Sequence, residues 1–170
     1  MKLKGVCKEK VFEKAFRDNS EILRNYLYYR SGDLQRSEDI VQESFVSLWE
    51  NCHKLTEATV KSWLFKVATN KLYNESAKDK VRFKFESQIT GSIDYETPEF
   101  KLEYEEYSNK LQNAINNLPE GQREAFLLNR VDNLKYKEIA ECLNISVKAV
   151  EKRISQALKK LNNEIFIKKI

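Results

Sequence analysis

The run of residues 134–161 permits few folds. Ile139, Ala140 and Leu143 recur at the three- and four-residue steps of one helix face, and the small Ala140 lets a second helix approach closely. Asn144 follows where a tight turn needs a residue tolerant of left-handed backbone, and Ser146 is placed to cap what comes next. Val147, Val150, Ile154, Leu158 and Leu161 then step by three or four. The pattern predicts a helix-turn-helix with residues 146–160 as its recognition helix. The outward face of that helix carries Lys148, Glu151, Lys152, Ser155, Gln156 and Lys159, with Arg153 beside them. Such a face mixes cations for phosphates with hydrogen-bonding groups for base edges in a major groove. A helical hairpin with a solvated face is the plain alternative, and the succession of small residue, turn, cap and basic helix argues against it.

The rest of the chain is also written in helical periods. Four glycines and two prolines in 170 residues leave long stretches without a helix breaker, which predicts an all-α fold. Phe12, Ala15, Phe16, Leu23, Tyr26 and Leu27 form the stripe of a first helix that Gly32 and Asp33 end. A second helix is expected near Ser37, its N-cap, with Ile40, Val41, Phe45, Leu48 and Trp49 as core. A third, basic helix is expected over 59–80, with Val60, Trp63, Leu64, Val67 and Ala68 inward. Gly91, Ser92 and Pro98 mark a linker that grades into an acidic helix near Phe100. Leu111, Ala114, Ile115 and Leu118 open a second domain, and a further helix covers 125–131. The expected organisation is a first domain over 1–86, a linker over 87–106 and a helix-turn-helix domain over 107–170.

Charge follows this division. The net charge of +4 is small, but residues 61–86 carry seven Lys/Arg against three Asp/Glu and residues 134–170 carry nine against four. Between them, residues 94–107 carry six acids against one lysine. Two basic segments around an acidic one fit two nucleic-acid-binding modules joined by a linker that DNA repels.

Other classes find little support. Cys7, Cys52 and Cys142 are odd in number and have no C-x-x-C pair, which argues against a disulfide framework and fits a reducing cytosol. No signal-peptide core and no apolar run of about 18 residues is present, so a soluble cytoplasmic chain is expected. His53 beside Cys52 is too sparse for a metal site or a nucleophilic pair, and there is no glycine-rich phosphate loop. No cofactor, metal, small-molecule substrate or catalytic residue is expected.

Two motifs, far apart and in order, carry a resemblance. Leu118-Pro119-Glu120-Gly121-Gln122-Arg123-Glu124-Ala125-Phe126, followed by Tyr136-Lys137-Glu138-Ile139-Ala140, resembles region 4 of the extracytoplasmic-function sigma factors. Asp33, then Glu38-Asp39-Ile40-Val41-Gln42-Glu43-Ser44-Phe45 and Leu48-Trp49, resembles region 2 of the same family. Trp63-Leu64-Phe65-Lys66-Val67-Ala68-Thr69-Asn70 resembles its promoter-melting helix. The resemblance implies a factor that carries RNA polymerase to promoters, reading the −35 element with the helix-turn-helix and capturing the −10 element with region 2. It implies that Asp39, Gln42, Glu43 and Val46 dock on core RNA polymerase. It also implies that Lys66, Asn70, Lys71, Asn74 and Lys78 meet −10 DNA, with Phe65 and Tyr73 nearby and residues 53–59 helping Asn70 hold a flipped base. An anti-sigma factor is a further implied partner, and the free chain is expected to be a monomer. Lys135, Asn144 and Glu151 depart from the common pattern, which bears on promoter sequence and not on fold. Tyr26, Tyr28, Tyr29 and the Leu-Trp-Glu of the second helix are most similar to family members of the Bacteroidota.

The competing function is a ligand- or phosphorylation-responsive regulator with a C-terminal helix-turn-helix. It would bind operator DNA as a dimer without polymerase, and the chain lacks the alternating strands of a receiver domain. A small helical enzyme would need polar residues clustered on buried faces, which the pattern does not offer.

Overall fold

Gly32 ends the first long helix in left-handed backbone, φ 70°, and Asp33 starts the next by accepting the Arg36 N–H at 3.0 Å. Two residues therefore turn the chain back on itself, which commits both helices to one antiparallel pair. The computed structural model describes residues 5–75 and 98–166. Its helices are α1 (Glu9–Ser31), α2 (Leu34–Asn51), α3 (Glu57–Glu75), α4 (Pro98–Asn116), α5 (Glu120–Arg130), α6 (Tyr136–Leu143) and α7 (Val147–Phe166). Short 3-10 turns occupy Gly5–Cys7 and Cys52–Lys54, and no strand occurs among the described residues. The all-α class expected from the sequence is what forms.

Helices α1, α2 and α3 pack on one another around Leu23, Leu27, Ile40, Phe45, Leu48, Leu64 and Ala68. Helices α4 to α7 close a second core around Ala114, Leu118, Leu128, Ile139, Val150, Ile154 and Ala157. Each large side chain buried this way contributes about 1.5–3 kcal/mol, enough in sum to hold short helices that would not survive alone. The two groups meet where α1 lies on α5 and α3 on α6.

Several sequence expectations shift. Helix α2 begins at Leu34, not near Ser37: Ser37 is buried one turn in, and its hydroxyl donates to the Asp33 carbonyl at 2.6 Å. Trp49 is 48% exposed and rests edge-on against Phe12, with ring centroids 5.1 Å apart, so it borders the core without belonging to it. Val147 is exposed because it is the first residue of α7, before the stripe turns inward. Helix α5 begins at Glu120, directly after Pro119, earlier than the expected 125. Helix α4 starts at Pro98, so residues 98–106 of the expected linker are helical and its boundary at 106 falls inside α4; residues 87–97 lie outside the described residues. The end of the third helix expected over 76–80 lies outside them too. Finally, Cys7 and Cys52 form a disulfide, against the expectation of unpaired cysteines, and only Cys142 is free. An odd count leaves one cysteine over without forbidding a pair.

Candidate nucleic-acid interface

The helix-turn-helix forms as its residues dictate. Asn144 caps α6 in left-handed backbone, φ 52° and ψ 49°, and the Ser146 hydroxyl accepts the Ala149 N–H at 3.1 Å. Val150, Ile154, Ala157 and Leu161 bury one side of α7. That leaves Lys148, Glu151, Lys152, Ser155, Gln156 and Lys159 exposed on the other. Two of the expected readers are engaged inside the domain. Arg153 donates to the Glu124 carboxylate at 3.0 Å, and the Gln156 side-chain oxygen accepts from Gln122 at 3.1 Å. The guanidinium reaches Glu124 by passing over Gly121, where a Cβ would stand 3.2 Å from its carbon. A side chain there would press on that approach, and the arginine would have to shift by a few tenths of an ångström. At the start of α6 the Lys135 backbone N–H donates to Glu138 at 2.7 Å, so the carboxylate supplies part of what a capping hydroxyl would.

On α3, Lys66, Asn70 and Asn74, three of the residues that the resemblance assigns to −10 DNA, are exposed one turn apart and form a polar row; Lys78 lies outside the described residues. Phe65 departs from expectation. It is 2% exposed, with its ring 5.0 Å from that of Tyr26, and is a core residue that no base can reach. Tyr73 is exposed, but its hydroxyl donates to Glu120 and accepts from Arg30. The Thr56 N–H donates to the Thr59 hydroxyl at 3.1 Å at the start of α3. Of the expected loop over 53–59, residues 53 and 54 close the 3-10 turn and 57–59 open α3, so only residues 55 and 56 lie outside helical structure.

The acidic face of α2 presents Asp39, Gln42, Glu43 and Val46 together, all exposed. With Ser47 and Lys71 they line a shallow groove between α2 and α3. Lys71 bonds to Glu43 at 2.9 Å, so it stands on the border between the acidic face and the basic row.

A third constellation was not anticipated. Asn25 and Tyr29 on α1 donate to the two oxygens of Asp132, at 2.6 and 2.8 Å, and Arg123 donates to the Tyr29 carbonyl at 2.9 Å. Arg30 donates to Glu124 at 2.9 Å and also to Glu120. Glu124, 3% exposed, therefore sits between Arg30 of the first helical group and Arg153 of the recognition helix. Burial raises the pKa of Glu124, and the two guanidinia pull it back. For Arg30, burial lowers the pKa, but Glu124, Tyr26, Glu120 and Tyr73 together outweigh it, so the guanidinium stays charged. Burial also raises Asp132, against hydrogen bonds from Asn25 and Tyr29. Cys142 is buried where α6 meets α3, with its thiol pushed up to about 11 by burial while Lys61 donates to it. No sequence period marks these bonds, and those from α1 join residues about a hundred positions apart.

Among the described residues no group of three or more His, Cys, Asp or Glu is arranged to hold a metal ion, and Cys52, beside His53, is spent in the disulfide. No helix among them is long and apolar enough to cross a membrane.

Two helical modules, each presenting an exposed polar row on one helix, define a two-domain DNA-binding protein. Residues 15–82 match the family described as Sigma-70 region 2, and residues 108–161 the one described as Sigma-70, region 4. The chain is 30% identical over 141 residues to the extracytoplasmic-function RNA polymerase sigma factor SigM of Bacillus subtilis, covering 81% of this chain and 86% of SigM. It is 29% identical to SigW of the same organism, covering 89% of each. Its fold is similar to that of the sigma factor RpoE of Bartonella quintana, solved with the anti-sigma factor NepR, at a TM-score of 0.63 and 19% identity, covering 94% of this chain and 99% of the other. The chain belongs to the extracytoplasmic-function RNA polymerase sigma factors of the sigma-70 family. It is a transcription initiation factor that directs RNA polymerase to promoters.

Proposed function

We propose a division of that work among the residues described above. Helix α7 enters the major groove of the −35 element, with Lys148, Lys152 and Lys159 on phosphates, Arg153 adding its charge beside them from its pairing with Glu124, and Glu151, Ser155 and Gln156 toward base edges. Helix α3 meets the −10 element through Lys66, Asn70, Lys71 and Asn74, Lys78 beyond the described residues adds a further cation, and the 53–59 segment with Asn70 holds a base that has left the stack. The face of Asp39, Gln42, Glu43 and Val46 docks on core polymerase, where its acids suit a basic partner. The observation that carries this division is the exposure of three separate polar faces, on α2, α3 and α7, in a chain whose cores are otherwise closed. The chain performs no catalytic step, acts in the cytoplasm as a monomer until it meets polymerase, and is restrained by an anti-sigma factor, as its structural relative RpoE is bound by NepR.

The test is reconstitution. The purified chain, added to core polymerase from its host or a close relative, should start transcripts at discrete sites on genomic fragments only when present. Tight binding to operator-like DNA as a dimer without polymerase, alongside no initiation by a core shown to be active, would make it a conventional regulator.

A further inference from the structure

We propose that Cys7 and Cys52 form a thiol–disulfide modification site, through which a low-molecular-weight disulfide sets the order of the 53–59 loop and so the grip on an unpaired −10 base. The second clause rests on the loop assignment proposed above.

The placement of the pair carries the inference. Cys52 is both the C-cap of α2 and the first residue of the 3-10 turn Cys52–Lys54, so it is the root from which the loop leaves. Cys7 ends the turn Gly5–Cys7, which packs directly on that root. Gly5 lies in left-handed backbone, φ 58°, with space for a Cβ only 3.5 Å from the Leu55 carbonyl, so the N-terminal turn is seated against the loop itself. The bond joins positions 45 residues apart. Without it, the buried Val6 is the main apolar anchor of that three-residue turn. The loop's other end is fixed independently by Thr56 and Thr59. Oxidation thus fastens the N-terminal turn covalently to the root of the loop, where α2 ends, while Thr56 and Thr59 hold the other end.

The setting makes the pair a responsive one. A transcription initiation factor works beside the chromosome, in a compartment that keeps thiols reduced, where disulfides in most organisms are transient or redox-sensing. Cys7 and Cys52 are themselves buried, but their neighbours Lys8, His53 and Lys54 are exposed, so the pair lies just beneath the surface. One cysteine, as thiolate, displaces half of the external disulfide and forms a mixed disulfide. The second cysteine then attacks the protein sulfur and releases the other half. The two cysteines lose two protons and two electrons, and the external disulfide leaves as two thiols. Cys142 takes no part, being buried in α6 with a protonated thiol.

The experiment treats the whole chain with reduced or oxidised glutathione. In denaturant, the three thiols of the reduced chain should fall to one, with a peptide linking Cys7 to Cys52. The oxidised chain should melt about 5–10 °C higher. With core polymerase it should bind a fork DNA with an unpaired −10 strand about fivefold more tightly, as follows if the untied loop is competent about a fifth of the time. Cys7→Ser and Cys52→Ser should bind like the reduced chain under both conditions, and Cys142→Ser should keep the response. Three thiols after oxidation, or a linked peptide with fork binding unchanged within twofold, would overturn the proposal. Asn70→Ala in the reduced chain separates the underlying assignment: normal fork binding would refute the base-pocket reading and the proposed DNA effect, while a linked peptide would still support the modification site.

Discussion

Lys152 and Cys142 show how differently two side chains of one small domain can act. Lys152 is exposed on α7 with no carboxylate tied to it in the described ion pairs, so its charge is available to a phosphate. Lys152→Ala should weaken −35 duplex binding and reduce the slope of log K against log salt by about one. A slope measured from 50 to 200 mM salt that does not change would remove Lys152 from the phosphate contacts. Cys142 is the opposite case. Its folded pKa is raised to about 11 from 9.0, so the folded chain holds that proton longer than the unfolded one. The contribution is therefore complete below pH 9 and lost as pH rises through 11, and amounts to about 3 kcal/mol. Denaturant melts of the oxidised chain between pH 8 and 11 should show this loss, and Cys142→Ala should flatten the curve. An equally steep decline in the variant would assign the effect to the buried tyrosines Tyr26 and Tyr29, whose pKa values burial also raises. Exposure of Lys152 was legible in the helical period; the burial of Cys142 was not, because it depends on α3 crossing α6.

At the scale of elements, periodicity located the helices better than their ends. Asp33 and Ser37 are both good N-cap residues, and the sequence does not choose between them; the choice falls to Asp33 because Gly32 ends α1 one residue earlier. Phe65 and Trp49 were misplaced for a related reason. A stripe read at three- and four-residue steps is wide, and a rotation of one residue moves an aromatic ring between core and rim. The turn of the helix-turn-helix, by contrast, was fully legible, since Asn144 and Ser146 each answer a local backbone demand. That turn makes a sharp prediction. Asn144→Gly should change stability by less than about 0.5 kcal/mol, because glycine adopts the same left-handed backbone but costs more entropy to fix. Asn144→Val should cost about 1–2 kcal/mol, since a β-branched side chain clashes there. Thermal melts of both variants check it, and equal stability of the two would mean that the turn relaxes out of the left-handed region.

The whole molecule presents a conflict between its packing and its task. Elements centred near −35 and −10 are about 25 base pairs apart, or about 85 Å along duplex DNA. A compact chain of this length has a radius of gyration near 15 Å and a diameter of about 40 Å. If α7 takes the −35 element and α3 the −10 element, as proposed above, the packing of α1 on α5 and α3 on α6 keeps them from both at once, and the interface has to open when polymerase and promoter are engaged. What holds it shut is largely polar. Asn25 and Tyr29 satisfy Asp132, and Arg30 satisfies Glu124. Bonds of this kind contribute little net stability while intact, because water would serve the same groups after separation, but a group left buried and unpaired costs about 1–3 kcal/mol. Removing the donors should therefore drive opening instead of collapse. In the double variant Asn25→Ala with Tyr29→Phe, Asp132 stays an acceptor with both donors gone, and separation of the domains rehydrates it. Small-angle scattering should show a radius of gyration that rises from about 15 Å toward about 20 Å, the value for two half-size domains held apart. Core polymerase binding should be retained or strengthened, since the proposed docking face of Asp39, Gln42, Glu43 and Val46 lies on α2 and the substitutions lie on α1. An unchanged radius would mean that apolar packing between α3 and α6, with Lys61 over Cys142, holds the domains together and that the hydrogen bonds to Asp132 only set their register.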